Sequence, residues 1–296
     1  YNQARNVAAF VDLGEYADIH NALWTPQGSE SVPYNQANSL YAQLTSTYVA
    51  ARDFNRLHQA LPAGVISGND YEKIESARLL QNTEYIFQPQ LGYLSLRTPL
   101  QADEALAVAF EFTYNGKTYQ VGEFSTDIGK ESTSGALFAK LLKPVSLTPT
   151  SHTWRLMMRN IYSIARSAYT IQSEGFKFDI AYQSDKTGTY LNYFPETPLK
   201  DEPLLRIMRL DRLNSKNAPY PDGNFDFLDG YTLASQTGKI IFPVVEPFGS
   251  HLRKKIDNDA VANLFVYQQL YDSTLTVARQ FPEKNKFRMY GEFRGT

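Results

Sequence analysis

The dipeptide Asn115-Gly116 stands between two alternating apolar runs, and it constrains the fold more than any other feature of the sequence. Both residues tolerate positive φ, as the type I′ turn of a two-residue hairpin requires. This turn sets Phe112 directly opposite Tyr119, so aromatic side chains share one face of the two strands. The sequence therefore predicts a β-hairpin over residues 106–124 with an aromatic ladder on one side.

The opposite face of this predicted hairpin carries polar and small side chains. Its members are Ala109, Glu111, Thr113, Thr118, Gln120 and Gly122. Because side chains alternate across a strand, all of them point away from the aromatic ladder. We expect this face to lie in water, or to be crossed closely by another segment at its small residues.

Composition limits the class of protein. A chain of 296 residues permits one large domain or two close-packed ones, and 43% hydrophobic with 20% charged residues is typical of a globular fold. A net charge of -2 offers no basic surface for nucleic acid, so no nucleic-acid partner is predicted. The absence of cysteine excludes disulfides and thiolate chemistry. No apolar run reaches the length of a membrane-spanning helix, and a start at Tyr1 predicts a piece excised from a longer protein.

Apolar spacing predicts three longer helices, over residues 34–61, 151–165 and 258–280, and a short one over 136–142. Alternating segments between them predict strands without a regular strand-helix-strand rhythm. The predicted fold class is α+β, with antiparallel hairpins packed against about three longer helices. Three segments are expected to form one compact unit. They are an N-terminal strand plus helical segment (1–68), a sheet-rich core with one long helix (69–256), and a C-terminal helix with the start of a strand (257–296).

The search for catalytic residues yields none. The four histidines, His20, His58, His152 and His251, are far apart and lack the spacing of metal ligands. No nucleophile elbow or phosphate-binding loop is present. Four carboxylates near the hairpin, Glu111, Glu123, Asp127 and Glu131, resemble glycosidase acids only by their proximity in sequence, so exposed charge is the favoured interpretation. The protein is predicted not to be an enzyme and to need no cofactor.

One segment resembles the first half of a calcium-binding loop. Asp222, Asn224 and Asp226 alternate as such ligands do, but an EF-hand would need Gly at Phe227 and an acid at Leu233. These three residues are the candidate metal ligands, and a solvated turn is the simpler interpretation. Two other features have similarly simple interpretations. Helical spacing favours a core position for Trp154 over a sugar-stacking platform with Trp24, and the basic run at 253–255 is too short to indicate an anionic partner.

Several stretches, in order along the chain, resemble the SprA (Sov) family. They are residues 82–96, the hairpin 106–124, and residues 154–163, 210–214, 221–227, 238–243, 246–249 and 283–288. The N-terminal residues 1–68 match less specifically. A resemblance spread over most of the chain is more specific than any single motif.

The resemblance implies a role. SprA-like proteins are very large outer-membrane proteins of Bacteroidetes that form the translocon of the type IX secretion system and support gliding motility in some members. This chain would then be a non-catalytic structural and interaction domain in the cell envelope, on the periplasmic or the external side. Its expected partners are other domains of the translocon, accessory secretion subunits and secreted cargo. Membrane association would occur through the barrel of the parent protein and not through this segment.

Two other classes of function stay open on the sequence. A cell-surface carbohydrate- or peptide-binding module would place exposed aromatic side chains in one groove. An acid-dependent hydrolase would need two carboxylates facing each other across a cleft.

Overall fold

The computed structural model describes residues 4–128, 135–164, 170–195 and 197–295. The chain divides into two compact units. Unit 1 comprises Tyr1–Phe87 and Leu94–Met157, and unit 2 comprises Gln88–Tyr93 and Met158–Thr296. The three segments predicted from the sequence, 1–68, 69–256 and 257–296, have different boundaries from these two units. Their packing into one compact unit stays a prediction.

Unit 1 is built mainly on strands. They are β1 (Arg5–Phe10), β2 (Tyr71–Ala77), β3 (Tyr85–Gln88), β4 (Tyr93–Leu96), β5 (Leu106–Val108), β6 (Phe110–Tyr114), β7 (Lys117–Val121) and β8 (Leu137–Lys143), and the tip of the β3–β4 hairpin, residues 88–93, is assigned to unit 2. The helices are α1 (Ser39–Ser46), α2 (Leu57–Ala60) and two 3-10 helices, Val49–Arg52 and His152–Leu156. The core lies under α1 and α2, where Leu40, Leu57 and Phe138 are fully buried.

The main sheet of unit 1 has the strand order β2-β1-β8-β5. β1 pairs in parallel with β8, with Val7 opposite Leu137, while its other neighbour β2 and the pair β5–β8 are antiparallel. The sheet is therefore mixed, and its one parallel pair adds to the antiparallel hairpins that the sequence predicted. A parallel pair needs a long crossover, which the chain between residues 10 and 137 supplies.

The hairpin predicted from Asn115-Gly116 is confirmed. β6 and β7 form a two-stranded antiparallel sheet with Phe112 opposite Tyr119, and the turn residues have φ of 49° and 76°. The preceding run does not continue as one strand, because it breaks at Ala109. β5 pairs with β8 in the main sheet, and β6 begins the hairpin.

The predicted helix 136–142 is wrong, because these residues form the central strand β8. Leu137, Ala139 and Leu141 occupy one face and Phe138 the other, and all four are buried. A strand covered on both faces shows a continuous apolar run rather than alternation. Such a run cannot be told from a buried helix by its period.

The predicted helix 34–61 is broken into α1, a 3-10 helix and α2. Asn38 caps the start of α1 by accepting a hydrogen bond from the Leu40 amide. At its end, the hydroxyls of Thr45 and Ser46 donate to the carbonyls of Tyr41 and Ala42. Such local bonds compete with continued helix. The apolar stripe therefore continues across three short pieces.

Unit 2 combines short helices with two three-stranded sheets. Its helices are α3 (Leu204–Ile207), α4 (Ser250–Ile256), α5 (Asp259–Phe265), α6 (Gln269–Asp272) and α7 (Leu275–Ala278). The strands are β9 (Ile161–Ser163), β10 (Lys177–Gln183), β11 (Tyr190–Leu191), β12 (Leu233–Ala234), β13 (Lys239–Ile241) and β14 (Phe287–Glu292), in the orders β11-β10-β14 and β12-β13-β9. The core is rich in aromatic rings, with Phe194 and Phe242 fully buried.

Two predicted long helices are also wrong. In residues 151–164, only His152–Leu156 is helical, because the chain then extends and β9 pairs with β13. Residue 165 lies outside the described residues. The predicted helix 258–280 begins correctly, since Asn258 accepts a bond from the Val261 amide, but it divides into α5, α6 and α7. The Tyr267 amide donates to the Phe248 carbonyl, which draws the chain out of the helix after α5.

The α+β fold class is confirmed. Small sheets, most of them antiparallel, combine with short helices, and the three longest helices are α1, α4 and α5. Among the described residues, no helix has the length and hydropathy needed to cross a membrane.

Candidate functional site

The outer half of the β6–β7 hairpin is the most exposed part of the element that the sequence singled out. We call its exposed side chains the hairpin surface: Glu111, Thr113, Tyr114, Lys117 and Thr118. Lys117 donates to Glu30 at 2.9 Å, which connects the start of β7 to the loop before α1. Since the ion pair is exposed, its contribution to stability is small. Apart from this ion pair, the hairpin surface is exposed to solvent.

Aromatic rings line one face of the hairpin. Phe112 stacks on Tyr119 with 5.5 Å between ring centroids, and Phe110 lies 6.1 Å from Phe112. Tyr34 meets Tyr119 edge-on at 5.5 Å. Tyr119 is buried, whereas the two phenylalanines are half-buried. The predicted aromatic ladder therefore exists, and it is only partly covered.

The base of the hairpin is held close to the rest of unit 1. The Asn35 side chain accepts from the Gly122 amide and donates to the Gly122 carbonyl. A Cβ added at Gly122 would lie 2.9 Å from the Ala109 Cβ and 3.3 Å from the Phe138 carbonyl oxygen. Of the two expectations for the small residues, close crossing therefore applies at the base, while the polar residues farther out face water.

Glu123 is buried directly after the hairpin, so it is not an exposed charge. Its carboxylate accepts bonds from both terminal nitrogens of Arg52 at 2.5 and 2.8 Å, from the Tyr41 hydroxyl at 3.0 Å, and from the Phe138 amide at 2.8 Å. The Arg52 guanidinium also lies over the Phe138 ring. Four bonds satisfy both carboxylate oxygens, so Glu123 clamps unit 1 together and offers no free lone pair for proton transfer.

Two other carboxylates of the predicted cluster, Asp127 and Glu111, have separate roles. The Asp127 carboxylate accepts from the Phe124 amide and the Gln120 side chain, and Glu111 is exposed on the hairpin surface. Glu131 lies outside the described residues. The three described members of the cluster are therefore a buried ion-pair residue (Glu123), a turn-forming residue (Asp127) and a surface charge (Glu111).

The candidate metal ligands serve a turn. Asp226 accepts bonds from the backbone amides of Arg212 and Leu213, and Asp222 accepts from the Asn224 amide. Burial raises the pKa of Asp226, although the two amide bonds act against it. The buried carboxylate of Asp211, which the sequence did not single out, caps the amides of Asp222 and Gly223. In the described part of the chain, no group of three or more histidine and acidic side chains is arranged to hold a metal ion.

Two histidines that are far apart in the sequence meet in unit 1. The rings of His20 and His152 lie 4.7 Å apart at 33° to each other. Asp18 lies 3.4 Å from His152 and Asp70 lies 3.7 Å from His20, and Arg155 contacts both His152 and Asp18. No sequence signal could have shown this pair, because 131 residues separate its members.

The environment of His152 favours its neutral ring. Burial lowers the pKa of His152, and the charge of Arg155 acts in the same direction. The nearby Asp12 carboxylate is itself buried and accepts from the amides of His20 and Asn21. His58 and His251 are separate from this pair; His58 bonds the Tyr71 hydroxyl, and His251 the Ile207 carbonyl.

The tryptophans and the basic run do not form a common site. Trp24 is buried in the core of unit 1, while Trp154 is half-buried in a 3-10 helix rather than in the predicted core helix. Arg253 lies in α4 and pairs with Asp259. These residues therefore support the local fold.

Comparison with known protein families and with curated proteins finds no match. The function therefore has to be argued from the residues themselves and from the resemblance described above.

Proposed function

We propose that this chain is a non-catalytic structural and interaction domain of an outer-membrane secretion translocon, and that it contacts its partners through the hairpin surface. The resemblance to SprA-like proteins supplies the machine, in the cell envelope of a Bacteroidetes bacterium. Its partners would be other domains of the translocon, accessory subunits or secreted cargo. The structure supplies the surface on which the contact is proposed.

One observation carries the proposal. β6 has a single strand neighbour, β7, so its outer edge has no strand partner among the described residues. An exposed strand edge offers backbone donors and acceptors to a partner chain. The Gly122 and Asn35 bonds fix the base of the hairpin, while its outer half stays exposed. A partner strand would thus find a preorganised edge.

The bonding of three acids, two of them buried and one half-buried, supports a non-catalytic role. The Glu123 carboxylate is saturated by four bonds, and Asp211 and Asp226 are occupied by backbone amides. A general base needs a free lone pair within reach of the proton that it removes. In each of these three side chains the oxygens stabilise the fold instead.

The test is photo-crosslinking in intact cells that produce the full-length parent protein. A photoreactive residue replaces Thr113 or Thr118 in the hairpin surface, and Thr45 in α1 is the matched control, since it is also an exposed threonine of unit 1. We expect adducts from 113 and 118 that are absent from 45, identified by mass spectrometry as translocon parts or cargo. Identical adducts at all three positions would contradict the proposal that partners bind at the hairpin surface. Absence of the parent protein from outer-membrane fractions would contradict its assignment to an outer-membrane translocon.

A second function is favoured by the aromatic ladder. Phe110 and Phe112 are half-buried and stacked, and aromatic rings of this kind bind sugars or apolar peptide side chains. A cell-surface carbohydrate- or peptide-binding module would bind there. Glycan and peptide arrays test it, with Phe112→Ala expected to abolish binding and Thr113→Ala to preserve it. Equal binding by both variants would remove this function.

A further inference from the structure

Unit 2 contains a pocket of about 150 Å³ whose wall is formed mainly by aromatic rings. The rings are those of Tyr162, Phe248, Tyr267 and Phe287. Phe248 and Phe287 lie 4.6 Å apart between centroids, and Tyr162 meets Phe248 edge-on at 5.8 Å. Leu270 from α6 and Met289 from β14 complete the apolar lining. The wall therefore presents several ring faces and edges to one small volume.

The hydroxyls of the lining tyrosines are already engaged. The Phe248 amide donates to the Tyr271 hydroxyl, which donates to Tyr162 at 2.6 Å, and the Tyr162 hydroxyl donates to the Arg159 carbonyl. The Tyr267 hydroxyl donates to the Ala278 carbonyl. Because these bonds are internal to unit 2, the tyrosines contribute carbon surface rather than polar groups to the pocket. They also fix the ring orientations.

The polar group at the pocket is Asn285. It lines the pocket and is exposed, so it lies at the mouth, and its side-chain amide offers both a donor and an acceptor. No lining residue carries a charge. The pocket therefore combines a ring-lined interior with one neutral hydrogen-bonding group at its entrance.

We infer that this pocket binds a neutral planar aromatic ring carrying one polar substituent, as in a phenol. Apolar cavities of about 150 Å³ accept a ligand the size of benzene. Surrounding rings attract a planar ring through edge-to-face and stacked contacts, and the Met289 sulfur adds a favourable contact with its edge. The polar substituent would reach Asn285.

The ring can come from a free small molecule or from a tyrosine side chain of a peptide. β14, which supplies Phe287 and Met289, is the edge strand of its sheet. An extended peptide that added to this edge would place alternate side chains beside the pocket. The chemistry of ring recognition is the same for both sources, and the experiment separates them.

The experiment is an NMR titration of the isotopically labelled chain with p-cresol, toluene and cyclohexanol. We expect p-cresol and toluene to shift the amides around residues 267–270 and 285–289, while cyclohexanol, of similar size but not planar, leaves them unchanged. Asn285→Ala should lower the affinity for p-cresol about five-fold through the lost hydrogen bond and leave the affinity for toluene unchanged. The control Asn55→Ala, an exposed asparagine in unit 1, should change neither affinity.

Two further measurements keep the inference falsifiable. Leu270→Trp should fill the pocket and abolish binding, and its melting temperature checks that it folds. A tyrosine-containing hexapeptide that binds more than ten-fold tighter than N-acetyltyrosinamide assigns the ring to a peptide, and equal affinities assign it to a small molecule. Equal responses to p-cresol and cyclohexanol, or shifts confined to other residues, would overturn the inference whatever the variant does.

Discussion

The two units differ in what dominates their buried interiors. Unit 1 places an ionised pair near its centre, where Glu123 has a side chain 4% exposed and faces Arg52. Unit 2 also holds an ion pair with little exposure, Glu246 with Arg159, but its core is rich in rings. Phe194 meets Tyr182, Phe265 and Phe287 at centroid distances of 5.2, 4.8 and 6.2 Å. The stability of the Glu123–Arg52 pair depends on whether every buried donor and acceptor is bonded. The stability of the ring cluster depends on how closely the apolar surfaces fit.

Because of this difference, substitutions should destabilise the two units in different ways. Removal of the Glu123 carboxylate leaves the Tyr41 hydroxyl and the Phe138 amide without their acceptor, and Arg52 keeps only its bond to the Ala136 carbonyl. A ring cluster loses apolar contacts and gains a cavity. Both tryptophans of the chain, Trp24 and Trp154, lie in unit 1. Tryptophan emission therefore reports on unit 1, and hydrogen exchange can follow each unit separately.

The largest effect is expected for Glu123→Ala. Removal of the carboxylate leaves the Arg52 guanidinium without its buried partner, which costs about 3–5 kcal/mol. Urea unfolding followed by tryptophan emission should shift to lower concentration, while exchange in residues 170–295 stays unchanged. Glu111→Ala on the hairpin surface is the control, with an expected effect within about 0.5 kcal/mol. A shift of similar size for both variants would contradict the clamp.

Phe194→Ala is the counterpart in unit 2. The side chain is fully buried, and its removal should cost about 3–5 kcal/mol through lost burial and a cavity. Amide exchange should accelerate in β10 and α5, which carry the neighbouring rings. The urea midpoint of unit 1, followed by tryptophan emission, should stay at its wild-type value. Tyr193→Ala, at a more exposed neighbouring position, serves as the control. Equal acceleration in both units would show that the contact division does not describe unfolding.

A smaller effect is expected at the hairpin glycines. Gly122 and Gly116 both have positive φ, but a Cβ at Gly122 would meet Ala109, whereas a Cβ at Gly116 would meet nothing within 4 Å. Gly116→Val should cost about 1–2 kcal/mol from backbone strain alone, and Gly122→Val more than that because packing is added. Melting temperatures of the two variants test this order. An unchanged melting temperature for Gly116→Val would contradict the strained turn.

The smallest effect concerns alkaline pH. Burial raises the pKa of Tyr162 and Tyr182 in unit 2, and of Tyr41 in unit 1, each to about 12. Between pH 10 and 12 the unfolded chain loses these protons while the folded chain retains them, so stability falls as pH rises through this window. Unit 2, with two such groups, should lose more stability. Tyr182→Phe should reduce the loss between pH 9 and pH 11 in urea unfolding followed by circular dichroism, which reports on both units, and an unchanged loss would contradict this expectation.

Local sequence predicted the features whose causes are local. The turn at Asn115-Gly116 fixed the register of β6 and β7, and Asn258 marked the start of α5. Both depend on residues within a few positions of each other, since a type I′ turn and a helix N-cap are short-range structures. The α+β class followed because alternating and helical patterns are present together.

Tertiary structure decided what local patterns leave ambiguous. The apolar run of β8 became a central strand because β1 and β5 pair with it, although its period also suits a helix. The His20–His152 pair and the Glu123–Arg52 clamp join residues many positions apart, so no spacing rule could reveal them. The sequence by itself determined the hairpin, its aromatic ladder and the fold class. Only packing determined the mixed sheet, the buried acid and the ring-lined pocket, because long-range contacts set burial, and burial sets which side chains pair.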